Sequence, residues 1–225
     1  MASYDLKRAR DSLKGVSRKL KWKRNSSFLE SDDEEAAKAV KWERVFYTFF
    51  DFNEDNQIDW TDFRLFLEKI KDLRGEDSHE YKIAKERIRM VWKGILQETK
   101  GFDDNHDLTG NEQVTMEEWK AVWRRFDPDN MSMWHWEYIK YMFFLIDKKG
   151  DKKIDFKEYK DVMTLYGIDE ISCKEAWQKM TKLDDNGHSM ETINYGQWVE
   201  YWKEYFSSGK SGKCAGRGNY IFGPW

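Results

Sequence analysis

Twelve residues from Asp51 to Asp62 read Asp-Phe-Asn-Glu-Asp-Asn-Gln-Ile-Asp-Trp-Thr-Asp. Side-chain oxygens recur at Asp51, Asn53 and Asp55, return at Asp59, and the run closes on the carboxylate of Asp62. A hard divalent cation takes six to eight oxygen ligands, so a loop that binds one must aim many short acidic side chains at a single point. Gln57 is expected to add its backbone carbonyl, and Ile58 to face inward while its backbone pairs with a second loop. Phe46, Phe49 and Phe50 precede the run; Phe63, Phe66, Leu67 and Ile70 follow it, both sets at helical spacing. A polar turn between two helices would account for the flanks but not for the alternation of ligands.

Helix, twelve-residue loop, helix is the EF-hand unit, and such units bury their apolar faces in pairs. Aligning Val114 with Ile58 gives a second candidate loop with ligands Asp107, Thr109, Asn111, Gln113 through its carbonyl, Thr115 and Glu118. Thr109 is a poor third ligand and Glu112 stands where a glycine makes the sharp turn, whereas a glutamate at the closing position can bind bidentately. A third loop runs Asp147–Glu158, with ligands Asp147, Asp151, Lys153 through its carbonyl, Asp155 and Glu158. Lys149 occupies a ligand position there, and an ammonium only donates and repels the ion, so weaker binding is expected. A fourth loop is due after the helix expected to bury Ala176, Trp177, Met180 and Leu183, and Ser172 with Glu175 reads as a capping box opening that helix. Aligning Ile193 with Ile58 leaves Asn186, His188, Met190 and Gln197 at ligand positions, and starting at Asp184 closes on Tyr195. Neither register works. This hand is expected to keep its shape for pairing alone, with Ile58 beside Val114 and Ile154 beside Ile193.

Only two prolines in 225 residues favour helices, and the net charge of −3 gives no bias toward nucleic acid. Cys173 and Cys214 are no disulfide framework. No apolar run approaches a membrane span and no signal-peptide pattern opens the chain, so a cytoplasmic location is expected. His79, His106, His135 and His188 are scattered, which suggests neither a zinc site nor a catalytic cluster, and no enzyme activity is expected. Leu6, Ala9, Leu13, Val16 and Leu20 form one stripe on a basic helix over residues 4–24. That helix suits an anionic membrane surface or a protein target's groove, but docking on the rest of the chain or fraying as a tail is the favoured reading.

The expected fold is all-α, with four EF-hands in two compact paired lobes joined by short two-stranded β links. Residues 1–31 form the basic extension, 32–126 hands 1 and 2, 127–206 hand 3 and the degenerate hand 4, and 207–225 a tail that packs on the core. Phe46–Asp51, Gln113–Trp119, Gly150–Asp155, Glu204–Phe206 and Gly218–Gly223, with the inactive last hand and the short linker, give the chain a resemblance to the invertebrate sarcoplasmic calcium-binding proteins over about residues 36–223. The resemblance implies calcium in the first three hands and a role as buffer or signal modulator, in a monomer. A membrane or partner adaptor switched by calcium through residues 4–24 is the alternative. A third class, the calcium-triggered photoprotein, needs a working last hand, which is lacking. Magnesium is a second expected ion, above all at Asp51–Asp62, because the short Asp62 suits six-coordinate geometry better than seven.

Overall fold

The computed structural model describes residues 30–103, 105–183, 187–209 and 216–224. The chain divides into Met1–Glu30 and Ser31–Trp225, and the core belongs to the second unit. The expected basic helix over residues 4–24 lies outside the described residues, as does the residue at 225.

Among the described residues eight α-helices carry the fold: α1 (Glu30–Val45), α2 (Trp60–Arg74), α3 (His79–Lys100), α4 (Met116–Arg124), α5 (Met133–Ile146), α6 (Phe156–Met163), α7 (Glu170–Thr181) and α8 (Tyr195–Ser207). Four short strands sit in the loops: β1 (Gln57–Asp59), β2 (Gln113–Thr115), β3 (Lys153–Asp155) and β4 (Thr192–Asn194). They pair antiparallel two by two, with Ile58 opposite Val114 and Ile154 opposite Ile193. All four of these residues are fully buried. The one apolar residue of each strand thus plugs the core from the loop side while its backbone ties two loops together.

Each strand runs straight into a helix through a capping box. Asp59 with Asp62, Thr115 with Glu118, Asp155 with Glu158 and Asn194 with Gln197 exchange side-chain and backbone bonds. The closing ligand position of each hand is therefore also the third residue of a helix, where an acidic side chain satisfies amides that have no partner within the helix. At α7 the cap lies three residues earlier than expected. Asp169 accepts from the Ser172 amide at 2.9 Å and from its hydroxyl at 2.8 Å, so Ser172 is inside the helix.

The helix entering hand 1 is not α-helical to its end. Phe46–Phe50 form a π turn, and the Asp51 amide donates to the Phe46 carbonyl at 2.8 Å. The wider turn keeps Phe46, Phe49 and Phe50 all buried. Single π turns of this kind gather at functional sites, and this one sets the direction in which Asp51 enters the loop.

Aromatic side chains fill the core. The Trp119 indole donates to the Trp42 carbonyl at 2.9 Å and the Trp198 indole to the Ile139 carbonyl at 3.2 Å. The segment Gly216–Pro224 packs into this core, and Ile221 and Phe222 are fully buried. The Phe222 ring meets Phe49, Tyr205 and Phe206. Burying such a ring contributes about 2–3 kcal/mol. Polar anchors fix the segment. The buried Lys41 ammonium donates to Asn219 Oδ1 and to the carbonyls of Tyr205 and Ser208. Arg44 donates to the carbonyls of Phe222 and Pro224. Gly218 is required for the approach, because a Cβ there would lie 2.4 Å from the Tyr201 carbonyl oxygen. Among the described residues no helix is long and apolar enough to cross a membrane.

Candidate metal centres

In the first loop the side chains at the two ends hold the middle. Asp51 accepts the amides of Asp55 and Asn56, each at 3.1 Å, on its two oxygens. Asp62 accepts the amide of Asn53 at 3.0 Å on one oxygen and that of Asp59 at 2.8 Å on the other. Asp55 takes the Gln57 amide at 2.9 Å, and Asn53 Nδ2 donates to Asp55 at 2.9 Å. Two residues turn through left-handed conformation, Glu54 at φ 61° and Asn56 at φ 69°. Asn tolerates that conformation better than most residues, which explains how the sixth position dispenses with glycine.

The third loop repeats the four bonds that tie the end acids to the loop amides, and Asp147 also accepts the Gly150 amide at 2.9 Å. Asp147 accepts the amides of Asp151 at 3.2 Å and Lys152 at 2.9 Å. Glu158 accepts those of Lys149 and Asp155, each at 3.0 Å. Asp151 takes the Lys153 amide at 3.0 Å. Gly150 at φ 69° and Lys152 at φ 64° make the same two left-handed turns. The difference lies in one side chain, since the Lys149 ammonium pairs with the Asp155 carboxylate.

The second loop is built otherwise. Gly110 turns at φ 82°, but no second left-handed residue follows it. Glu112, at the sixth position, folds its carboxylate back onto the Thr109 amide at 2.6 Å, the Thr109 hydroxyl at 2.8 Å and the Gly110 amide at 2.9 Å. Burial raises the Glu112 carboxyl, but the Thr109 and Gly110 donors together outweigh it and pull the group down to about 2. Asp107, Thr109, Asn111, Gln113 and Thr115 are all exposed. Glu118 accepts from the Thr115 amide at 2.9 Å and pairs with Lys100, the last residue of α3. The structure thus does not bring Asp107 and Glu118 into the brace that joins Asp51 to Asp62. In hand 4, Gln197 caps Asn194 at 2.9 Å and donates to the Met190 sulfur at 3.0 Å, while the Met190 amide donates to the Thr181 carbonyl at 2.9 Å. A neutral amide performs the capping that an acid performs in the other hands.

The electrostatics separate the hands as well. Asp51 is 3% exposed and Asp62 is 0% exposed. Burial, joined by the neighbouring carboxylates of Asp62 and Asp55, pushes Asp51 up to about 6 against the pull of the Asn56 and Asp55 amides. Burial also raises Asp62. Carboxylates gathered and desolvated in this way, with only oxygen donors beside them, fit a hard divalent cation that replaces the missing hydration. In hands 2 and 3 burial raises the acids too, but an ammonium and the neighbouring hydrogen-bond donors together outweigh it. Lys149 draws Asp155 below the usual carboxylate range, and Lys100 with Thr115 does the same to Glu118. Among the described residues no three His, Cys, Asp or Glu side chains stand close enough to form a finished metal cage.

The pairing of Lys100 with Glu118 and the inward turn of Glu112 are absent from the sequence expectations. The second had a local signal, because Thr109 followed three residues later by Glu112 is the capping-box pattern placed inside a loop. Lys100 had none, since its meeting with Glu118 depends on how α3 ends.

No family model matches the chain. It is 30% identical to calexcitin-1 of Caenorhabditis elegans over 183 residues, covering 81% of this chain and 84% of that protein. It is 22% identical to the sarcoplasmic calcium-binding proteins I, III and IV of Branchiostoma lanceolatum over 186 residues, or 80% of this chain and 92% of theirs. A sarcoplasmic calcium-binding protein from amphioxus shares the fold at a TM-score of 0.64 and 18% identity, over 84% of this chain and 97% of that one. Identity of 30% over most of both sequences places the chain in the family of calexcitin and the sarcoplasmic calcium-binding proteins.

Proposed function

We propose that the chain is a calcium-binding protein of this family that acts as buffer or signal modulator, without catalysis. The ions are held by Asp51, Asn53, Asp55, Gln57, Asp59 and Asp62, by Asp147, Asp151, Lys153, Asp155 and Glu158, and by Asp107, Thr109, Asn111, Gln113, Thr115 and Glu118. The observation that carries this reading is the brace shared by the first and third loops, in which one acid accepts the fifth and sixth amides and the last acid accepts the third and ninth. That brace puts two carboxylates at fixed positions on either side of one point before any ion arrives, so little ordering remains for binding to accomplish. When bound, calcium would supply charge neutralisation and coordination there, not chemistry.

Hand 1 is the strongest site, and magnesium holds it at rest until calcium competes. Asp62 is one methylene shorter than Glu158 and offers the ion a single oxygen more readily than two. The calcium response of the whole protein is small compared with sensors that open a methionine-lined groove, because Gly216–Pro224 already fills the core beside hands 1 and 3.

Calorimetric titration with calcium, in the absence and then the presence of magnesium, tests the reading. Saturable uptake with hand 1 as the tightest step is expected, with a lower apparent calcium affinity when magnesium is present. A chain that takes up no calcium would overturn it. A large rise in hydrodynamic radius together with strong hydrophobic-dye binding on adding calcium would refute the small response.

A further inference from the structure

We infer that two lysines act as tethered cations that compete with calcium, Lys149 in hand 3 and Lys100 at hand 2, and that they set the order in which the hands fill. This rests on the calcium reading of the loops.

The first and third loops have the same backbone brace, so their difference must come from side chains. At the third position Asn53 offers an amide oxygen, which also accepts the Asp55 amide at 3.0 Å. Lys149 at the same position offers an ammonium, and it sits on Asp155, the ninth-position acid. In hand 2 the cation comes from outside the loop. Lys100 closes α3 and its ammonium sits on Glu118, the twelfth-position acid. Each lysine therefore covers a carboxylate that its hand would turn toward calcium. Among the described residues no lysine or arginine pairs with a loop acid of hand 1.

An ammonium and a divalent ion cannot share one carboxylate at contact distance without strong repulsion, so one must leave when the other enters. The lysine is held by the chain, and its local concentration does not fall when the protein is diluted. Calcium must displace it at every binding event. Displacement is feasible, because the Lys149 side chain is 58% exposed and that of Lys100 27%, and each can swing into water without opening the core. Exposed ion pairs are weak, so the lysines lower affinity without abolishing binding. Hand 1 fills first, and hands 2 and 3 fill only at higher calcium.

A calcium titration of the full chain, followed through the amide resonances of Gly150 and Gly110, reads hands 3 and 2 separately. Lys149→Met removes the charge and adds no ligand oxygen, and it is expected to tighten hand 3 roughly tenfold. Lys100→Met is expected to tighten hand 2 by a similar factor, and Lys100 is not a ligand in any register. Lys149→Arg and Lys100→Arg keep the charge and should keep the wild-type affinity. Both positions are open to solvent, and far-ultraviolet circular dichroism confirms the fold of each variant. If Lys149→Met left hand 3 unchanged while Lys149→Asn tightened it, the missing ligand alone would explain the hand and the inference would fall. An unchanged hand 2 in Lys100→Met, or arginine variants that tighten like the methionine ones, would also overturn it. A wild-type chain that binds no calcium would instead refute the calcium reading beneath it.

Discussion

Loops 51–62 and 107–118 have the same ligand spacing, end in the same capping box and pair with each other through Ile58 and Val114, yet only one of them has its amides gathered around the acids at its ends. In the first loop Asp51 accepts the fifth and sixth amides, which requires Asn56 to turn left-handed at φ 69°. In the second, Glu112 takes that sixth place and satisfies the Thr109 and Gly110 amides with its own carboxylate. The third loop is the control. Lys152 is no better suited than Glu112 to a left-handed turn, but it adopts φ 64° and the brace forms, because a lysine has no acceptor with which to compete for the amides. Ligand spacing thus marks where a site can be. Which acid wins the loop amides determines whether the site stands ready.

The largest expected effect tests that brace directly. Asp51→Ala removes a ligand and two loop bonds together, and calcium affinity at hand 1 should fall at least roughly a hundredfold. Asp107→Ala removes an exposed side chain from a loop that Glu112 already holds, and hand 2 should lose less than about tenfold. Resonances of Gly110 for hand 2 and of Asn53 or Asp55 for hand 1 measure the two losses. Equal losses would break the distinction between the loops. The reverse experiment converts one loop toward the other. Glu112→Gly removes the competing carboxylate and supplies a residue free to turn left-handed, so hand 2 should gain roughly tenfold in calcium affinity. No gain would mean that the Glu112 bonds are incidental.

A pH series separates the loops by a smaller effect. Asp51 ionises at about 6 in the folded chain, above its ordinary value. A group raised in this way contributes stability to the ion-free fold that is fully present below the unfolded value, near pH 4, and lost as pH rises through 6. Calcium binds the ionised form, so its affinity at hand 1 should be flat near neutrality and weaken by roughly tenfold for each pH unit below 6. Glu118 is held below the usual carboxylate range and stays ionised over the same interval. Between pH 7 and 5 hand 1 should therefore lose affinity while the Glu118 contribution to hand 2 does not. The calcium-induced rise in melting temperature should accordingly be larger at pH 7.5 than at pH 5.

The fold was legible because its signals are local and repeated. Apolar residues at helical spacing, a single inward residue per strand and an acid or amide three residues after each strand are all short-range features, and they place the helices and the pairing of Ile58 with Val114 and of Ile154 with Ile193. What escaped the sequence depends on distance in three dimensions. Nothing near Lys41 in the sequence announces that it anchors Asn219, or that Arg44 holds the carbonyls of Phe222 and Pro224. The π turn at Phe46–Phe50 escaped as well, since the same aromatic spacing suits an ordinary helix end. At the candidate sites spacing alone names the candidate ligand positions. It does not name the partners of Glu112 and Glu118, because a carboxylate chooses among amides, ammonium groups and an ion by geometry that spacing does not encode.

The smallest expected effect concerns the last ligand. Asp62 and Glu158 accept equivalent pairs of amides, at 3.0 and 2.8 Å in the first loop and 3.0 and 3.0 Å in the third, so one brace accommodates either length of acid. Asp62→Glu should therefore fold, although one more methylene in a fully buried position is expected to cost about 1 kcal/mol of stability. The longer arm can present both oxygens to an ion, which calcium accepts in its larger coordination shell and magnesium does not. The preference of hand 1 for calcium over magnesium should rise about three- to tenfold, mostly through weaker magnesium binding. Competitive titration of the variant measures the ratio. If it does not rise, the length of the closing acid does not set the ion preference of this hand, and the difference between the first and third loops reduces to Lys149.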